Sequence, residues 1–324
     1  MPRVLIFEPS YRRIEPRLAP LAGRFELLLM NAHGEISWDG QPLSRDEAQP
    51  EVAWTNTDVF GSAHSREFFI ALLKSKVLTW LQSGGAGFEH PMFAGLIERG
   101  VRLTNSHAQA EAIAEFVLAG VLDHYQRGPA RRAAQAAADW RRIHFREIFG
   151  THWLIIGFGA IGQATAARAR AFGARTTSVR RSPGGHPHAD AIVGPDQALA
   201  LAPDADVVVL SPPLTDETRN FVDARFLAAM KPGSVLVNAG RGALVDEAAL
   251  LAALDRGAPE HALLDVFATE PLPADSRFWT HPRVAVTAHT SGFTDGQQRR
   301  NDELFVDNLG RYLRGEALRN EVSG

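Results

Sequence analysis

Trp153-Leu-Ile-Ile-Gly-Phe-Gly-Ala-Ile-Gly162 is the stretch whose reading decides how this chain folds. The apolar run 153–156 reads as a strand, and residues 161–172 read as a helix. Between them Gly157, Gly159 and Gly162 fall at the spacing of a phosphate-binding turn. The first glycine permits the tight turn, the second lets a pyrophosphate approach the backbone, and the third lets helix and strand pack closely. Ala160 and Ile161 then open the helix, whose first amides and dipole stabilise phosphate charge. Glycines alone would mark only a turn. The strand before them and the helix after them make this a dinucleotide-binding unit.

Further strands are expected downstream at 176–179, 207–210, 234–238, 263–266 and 284–287, separated by helices that include 223–230 and 246–255. This is a doubly wound parallel sheet. Upstream, short runs at 4–7, 25–30, 52–54 and 77–81 alternate with helix-like stretches and predict a second parallel sheet. A connecting helix is expected over 108–126 and an Ala/Arg-rich helix over 130–142. A final helix, 295–313, has no strand after it and is free to return to the first domain. Two domains also suit the length of 324 residues, which exceeds what one core usually sustains.

The 34 Lys and Arg against 37 Asp and Glu give a formal charge of -3, too balanced for a nucleic-acid or anionic-membrane partner. There is no cysteine, which removes disulfides, thiolate metal sites and cysteine nucleophiles; no metal is expected. The apolar run 4–7 is too short for a signal peptide or a membrane span, so a cytoplasmic protein is expected.

An NAD site of this type needs a carboxylate at the end of the next strand to bind the adenosine ribose. The chain has Arg180, Arg181 and Ser182 there instead. A carboxylate would repel the 2′-phosphate of NADP, whereas guanidinium groups bond to it. The residues favour NADP, with NAD as the alternative.

Three later segments each put a polar residue just past a strand, on the edge where ligands of open α/β sheets bind. They are Asn238-Ala-Gly-Arg-Gly-Ala-Leu-Val-Asp246, Asp265-Val-Phe-Ala-Thr-Glu-Pro271 and Thr287-Ala-His-Thr-Ser-Gly292, and their candidates are Arg241, Glu270 and His289. With the glycine loop, with Gly84-Gly-Ala-Gly-Phe-Glu89 and with Pro213-Leu-Thr-Asp-Glu-Thr218, these segments resemble the D-isomer-specific 2-hydroxyacid dehydrogenases. In character the chain is similar to NADPH-dependent glyoxylate/hydroxypyruvate reductases.

The resemblance implies a Rossmann cofactor domain, 105–291, inserted in a flavodoxin-like substrate domain, 1–104 and 292–324. It implies that Arg241 grips the carboxylate of a small 2-oxo acid, that His289 is the acid/base, and that Glu270 holds the charged histidine. It also implies that Ala86 and Gly87 offer backbone amides to the substrate, that Asp265 contacts the nicotinamide carboxamide, and that Pro213 and Thr218 border the cofactor. A homodimer is expected, with Trp140 near a partner or in packing. The alternative to an enzyme is a dinucleotide-sensing, corepressor-like binding protein on the same scaffold.

Overall fold

The computed structural model describes residues 1–85, 87, 91–182 and 184–322. It divides into two compact units, Met1–Ala108 with Asp295–Gly324, and Gln109–Thr294.

The first unit is built on seven strands: β1 (Arg3–Phe7), β2 (Glu26–Met30), β3 (Ile36–Trp38), β4 (Gln41–Leu43), β5 (Val52–Thr55), β6 (Trp80–Ser83) and β7 (Arg102–Thr104). Their order is β4-β3-β2-β1-β5-β6-β7. The five strands from β2 to β7 pair in parallel, while β3 and β4 add an antiparallel hairpin at one edge. Two residues, Asp39 and Gly40, turn that hairpin with φ of 47° and 74°. Positive φ at both positions is what a type I′ turn requires, and Asp-Gly supplies it. The final helix, Asp295–Arg314, belongs to this unit. Its Phe305 stacks on Trp54 at 4.4 Å and 4°, with Trp80 beyond it at 6.1 Å. Trp54 therefore fills the core.

The second unit carries β8 (His152–Ile156), β9 (Arg175–Val179), β10 (Ala191–Val193), β11 (Val207–Leu210), β12 (Val235–Asn238), β13 (His261–Leu264) and β14 (Val284–Val286). All neighbours are parallel, in the order β10-β9-β8-β11-β12-β13-β14. Side chains alternate between two apolar layers, as a sheet covered on both faces demands. Leu154, Ile156, Val208, Leu210 and Leu236 face one core; Trp153, Ile155, Val207, Val209 and Val237 face the other. The helix Ala110–Tyr125 covers the second layer through Ile113, Val117 and Val121. It lies so close that a Cβ on Gly120 would come within 2.2 Å of Leu263. Strand order reverses between β8 and β11, and the carboxyl ends of those two strands frame the ligand crevice of such sheets.

The helix expected over 130–142 is shorter, Gly128–Ala136. Ala138 takes φ of 52°, its amide bonds Gln135 O, and the Asp139 amide bonds Ala134 O. That pair of bonds closes a helix C-terminus around a left-handed residue. Beyond it Trp140 is fully exposed. Among the described residues no helix is long and apolar enough to cross a membrane, and no group of three or more His, Asp or Glu could hold a metal.

Candidate active site

Each glycine of the loop after β8 has its own steric reason. Gly157 has φ of +92°, and a Cβ there would lie 2.3 Å from Pro212 N. At Gly162 a Cβ would lie 2.1 Å from Gly157 O, so the helix could not close on the turn. Gly159, which caps the helix Ala160–Ala171, has nothing within 4 Å of where its Cβ would be. Two glycines thus serve protein packing, and the third leaves an open cradle beside helix amides that have no partner one turn back. That fits a pyrophosphate. The turn is braced by Gly157 N to Val179 O at 3.0 Å and by Ser211 Oγ to Gly157 O at 2.9 Å.

At the end of β9, Arg180 directly follows Val179 and no carboxylate intervenes. The Arg180 guanidinium carbon is 6.0 Å from the centre of the Phe158 ring, and its Nε donates to Ser182 O at 2.6 Å. Arg181 and Ser182 are exposed. After β11 the segment from Pro213 to Thr218 closes on itself. Thr218 Oγ1 donates to Pro213 O at 2.7 Å and accepts from Thr215 N at 2.7 Å.

Arg241 follows β12 in a turn held by buried Asn238, whose amide donates to Arg241 O at 2.9 Å and accepts from Gly240 N at 3.2 Å. The next residue must be glycine: a Cβ at 242 would sit 1.8 Å from the Phe267 carbonyl carbon. The Arg241 turn therefore lies flat against the loop after β13. In that loop Glu270 Oε1 accepts from Phe267 N at 2.9 Å, while Oε2 faces His289 Nδ1 at 2.8 Å. Their loops bring Glu270 and His289 together across 19 residues.

His289 itself has φ of 53°, a backbone that is uncommon for residues other than glycine. Asp265 holds it there. This fully buried carboxylate accepts from Thr287 Oγ1 at 2.6 Å, Thr290 N at 2.8 Å and Ser291 N at 3.0 Å, and its carbonyl accepts from His289 N at 2.8 Å. Both carboxylate oxygens serve the loop that carries the histidine, a role the sequence does not display. With Nδ1 on the carboxylate, Nε2 is the ring atom left to exchange a proton with a ligand; the half-exposed side chain, at 53%, allows it. Gly87 is described in the other unit, beyond β6, and Ala86 lies outside the described residues.

Residues 118–291 match the model of the D-isomer specific 2-hydroxyacid dehydrogenase, NAD binding domain. Glyoxylate/hydroxypyruvate reductase B of Citrobacter koseri is 32% identical over 294 residues, 85% of this chain and 89% of that protein. The chain belongs to the D-isomer specific 2-hydroxyacid dehydrogenase family. A second relative within it is D-3-phosphoglycerate dehydrogenase of Mycobacterium bovis, 33% identical over 304 residues, 89% of this chain. The chain spans about half the length of the phosphoglycerate dehydrogenases it matches, 48% and 55%. Among solved structures, the NADPH-dependent glyoxylate/hydroxypyruvate reductase of Sinorhizobium meliloti, in complex with NADP and sulfate, is 26% identical with a TM-score of 0.76, covering 99% of this chain and 98% of that one. The family's nicotinamide dinucleotide fits the glycine cradle described above.

Proposed function

We propose that this chain is a cytoplasmic NADPH-dependent reductase of small 2-oxo acids, such as glyoxylate or hydroxypyruvate, acting reversibly on the D-2-hydroxy acid. The observation that carries the reading is the 2.8 Å contact of His289 Nδ1 with Glu270, with the Arg241 turn packed against the same loop. NADPH, when bound, supplies a hydride to the carbonyl carbon. Arg241 binds the substrate carboxylate through its planar donor fork and polarises the adjacent carbonyl. His289, charged and steadied by Glu270, gives its Nε2 proton to the carbonyl oxygen; in the reverse direction it takes that proton back.

Gly157, Gly159, Gly162, Ala160 and Ile161 hold the pyrophosphate in this reading. Arg180, Arg181 and Ser182 bind the 2′-phosphate, and Pro213, Thr218 and Asp265 border the rest of the cofactor. Ala86 and Gly87 offer amides to the substrate. The cofactor domain is drawn at 105–291 and the substrate domain at 1–104 with 292–324. A homodimer completes the proposal, formed through the helical region 108–142, in which Trp140 is exposed.

The test is steady-state turnover of a panel of short 2-oxo acids with NADPH and NADH side by side. Wild type is expected to prefer NADPH, and His289→Ala to lose about 100-fold or more in kcat while still binding NADPH. Absence of turnover on every acid, with the coenzyme bound normally, would favour the dinucleotide-sensing alternative.

A further inference from the structure

Arg180 and Arg181 leave β9 together but are held differently. Arg180 lies over the Phe158 ring, which His186 also meets edge-on at 5.0 Å, and it is tied to Ser182 O. Arg181 reaches instead to the loop after β11, where Nη2 donates to Glu217 Oε2 at 2.8 Å. Both partners of this ion pair are open to water, with side chains 72% and 76% exposed. A pair so exposed contributes a factor of about five at most to stability. It joins the ends of β9 and β8's other neighbour β11, the two loops on either side of the glycine turn.

We propose that Glu217 is a specificity-determining residue: a tethered anion that occupies the edge of Arg181 needed by the 2′-phosphate of NADP. The proposal rests on the reading of Arg180 and Arg181 as ligands of that phosphate. Carboxylate and phosphate oxygens compete for the same planar fork of donors. A phosphate seated on Arg181 would also meet the negative charge of Glu217, so the carboxylate must leave before it binds. A nucleotide with a free 2′-hydroxyl displaces nothing. The opposite effect, in which Glu217 pre-sets Arg181 for the phosphate, needs a fixed side chain, and one contact between two groups this exposed does not fix it. Glu217 therefore narrows the preference for NADP over NAD that the two arginines create.

Isothermal titration with 2′,5′-ADP and 5′-AMP reads the subsite without turnover. Glu217→Gln is expected to bind 2′,5′-ADP about threefold more tightly with 5′-AMP unchanged, and the gain is expected to vanish in an Arg181→Ala background. An unchanged ratio in Glu217→Gln overturns the proposal, and weaker 2′,5′-ADP binding overturns it in favour of pre-setting. If wild type binds both nucleotides equally and Arg181→Ala changes neither, the NADP reading itself falls. That outcome is distinct from a wild type that prefers 2′,5′-ADP and a Glu217→Gln variant that matches it.

Discussion

Asp265 commits both carboxylate oxygens to three donors of the His289 loop, and so separates two roles for one residue. If it acts through the loop, Asp265→Asn loses an acceptor for one amide, and His289 drifts from its contact with Glu270. The expected result is a fall in kcat of about tenfold or more with KM for NADPH nearly unchanged. A rise in the coenzyme KM with kcat intact would make Asp265 a cofactor contact instead. The positions of Arg241, Glu270 and His289 a few residues past a strand were legible from sequence, and the structure brings Glu270 within 2.8 Å of His289. The second role of Asp265 was not, because it arises only when residues 22 to 26 positions away fold back onto it. The contact of Glu217 with Arg181 was hidden for the same reason, across 36 residues.

At the scale of elements, continuous apolar runs marked the buried parallel strands, since both faces of those strands meet a core. Three-residue strands such as β3, β4, β7 and β10 are too short to show a period, although Asp39-Gly40 carried the signal of a hairpin between two of them. The end of the helix Gly128–Ala136 was masked by composition. Alanine favours helix, and yet Ala138 sits in the left-handed region where glycine is the usual residue. That mismatch has a measurable cost. Ala138→Gly relieves a left-handed alanine, and is expected to stabilise the protein by about 0.5 kcal/mol, net of the extra freedom glycine gains when unfolded. Thermal denaturation checks it: an unchanged or lower Tm would mean that Ala138 carries no strain.

For the molecule as a whole, stability is expected to fall on mild acidification before the carboxylates titrate, and one histidine pair contributes the largest share. His261, at the start of β13, stacks on His124 with ring centres 4.2 Å apart and 9° between planes. Burial first, and then the neighbouring His124, push His261 down from 6.5 to about 4, with Asp123 opposing. His124 is lowered too, chiefly by burial, with Arg127 and Arg146 adding to that and Glu260 and Asp123 resisting. A lowered histidine means that the unfolded chain takes up a proton before the folded one does. The contribution is fully present above about pH 6.5 and is lost as pH falls toward 4, by about 1.4 kcal/mol per pH unit and about 3 kcal/mol in all for His261. Asp123, Asp206 and Asp255 have lowered values, so their favourable terms persist through this window and fade only below it. Urea denaturation between pH 7.5 and pH 4.5 isolates the effect. Wild type is expected to lose stability steadily across the range, while His261→Gln, which keeps a polar side chain but cannot be protonated, starts lower and declines less. Parallel curves for the two proteins would show that the stacked pair exchanges protons freely in the folded state. The acid sensitivity would then belong to His107 or His152, which burial also lowers among the described residues.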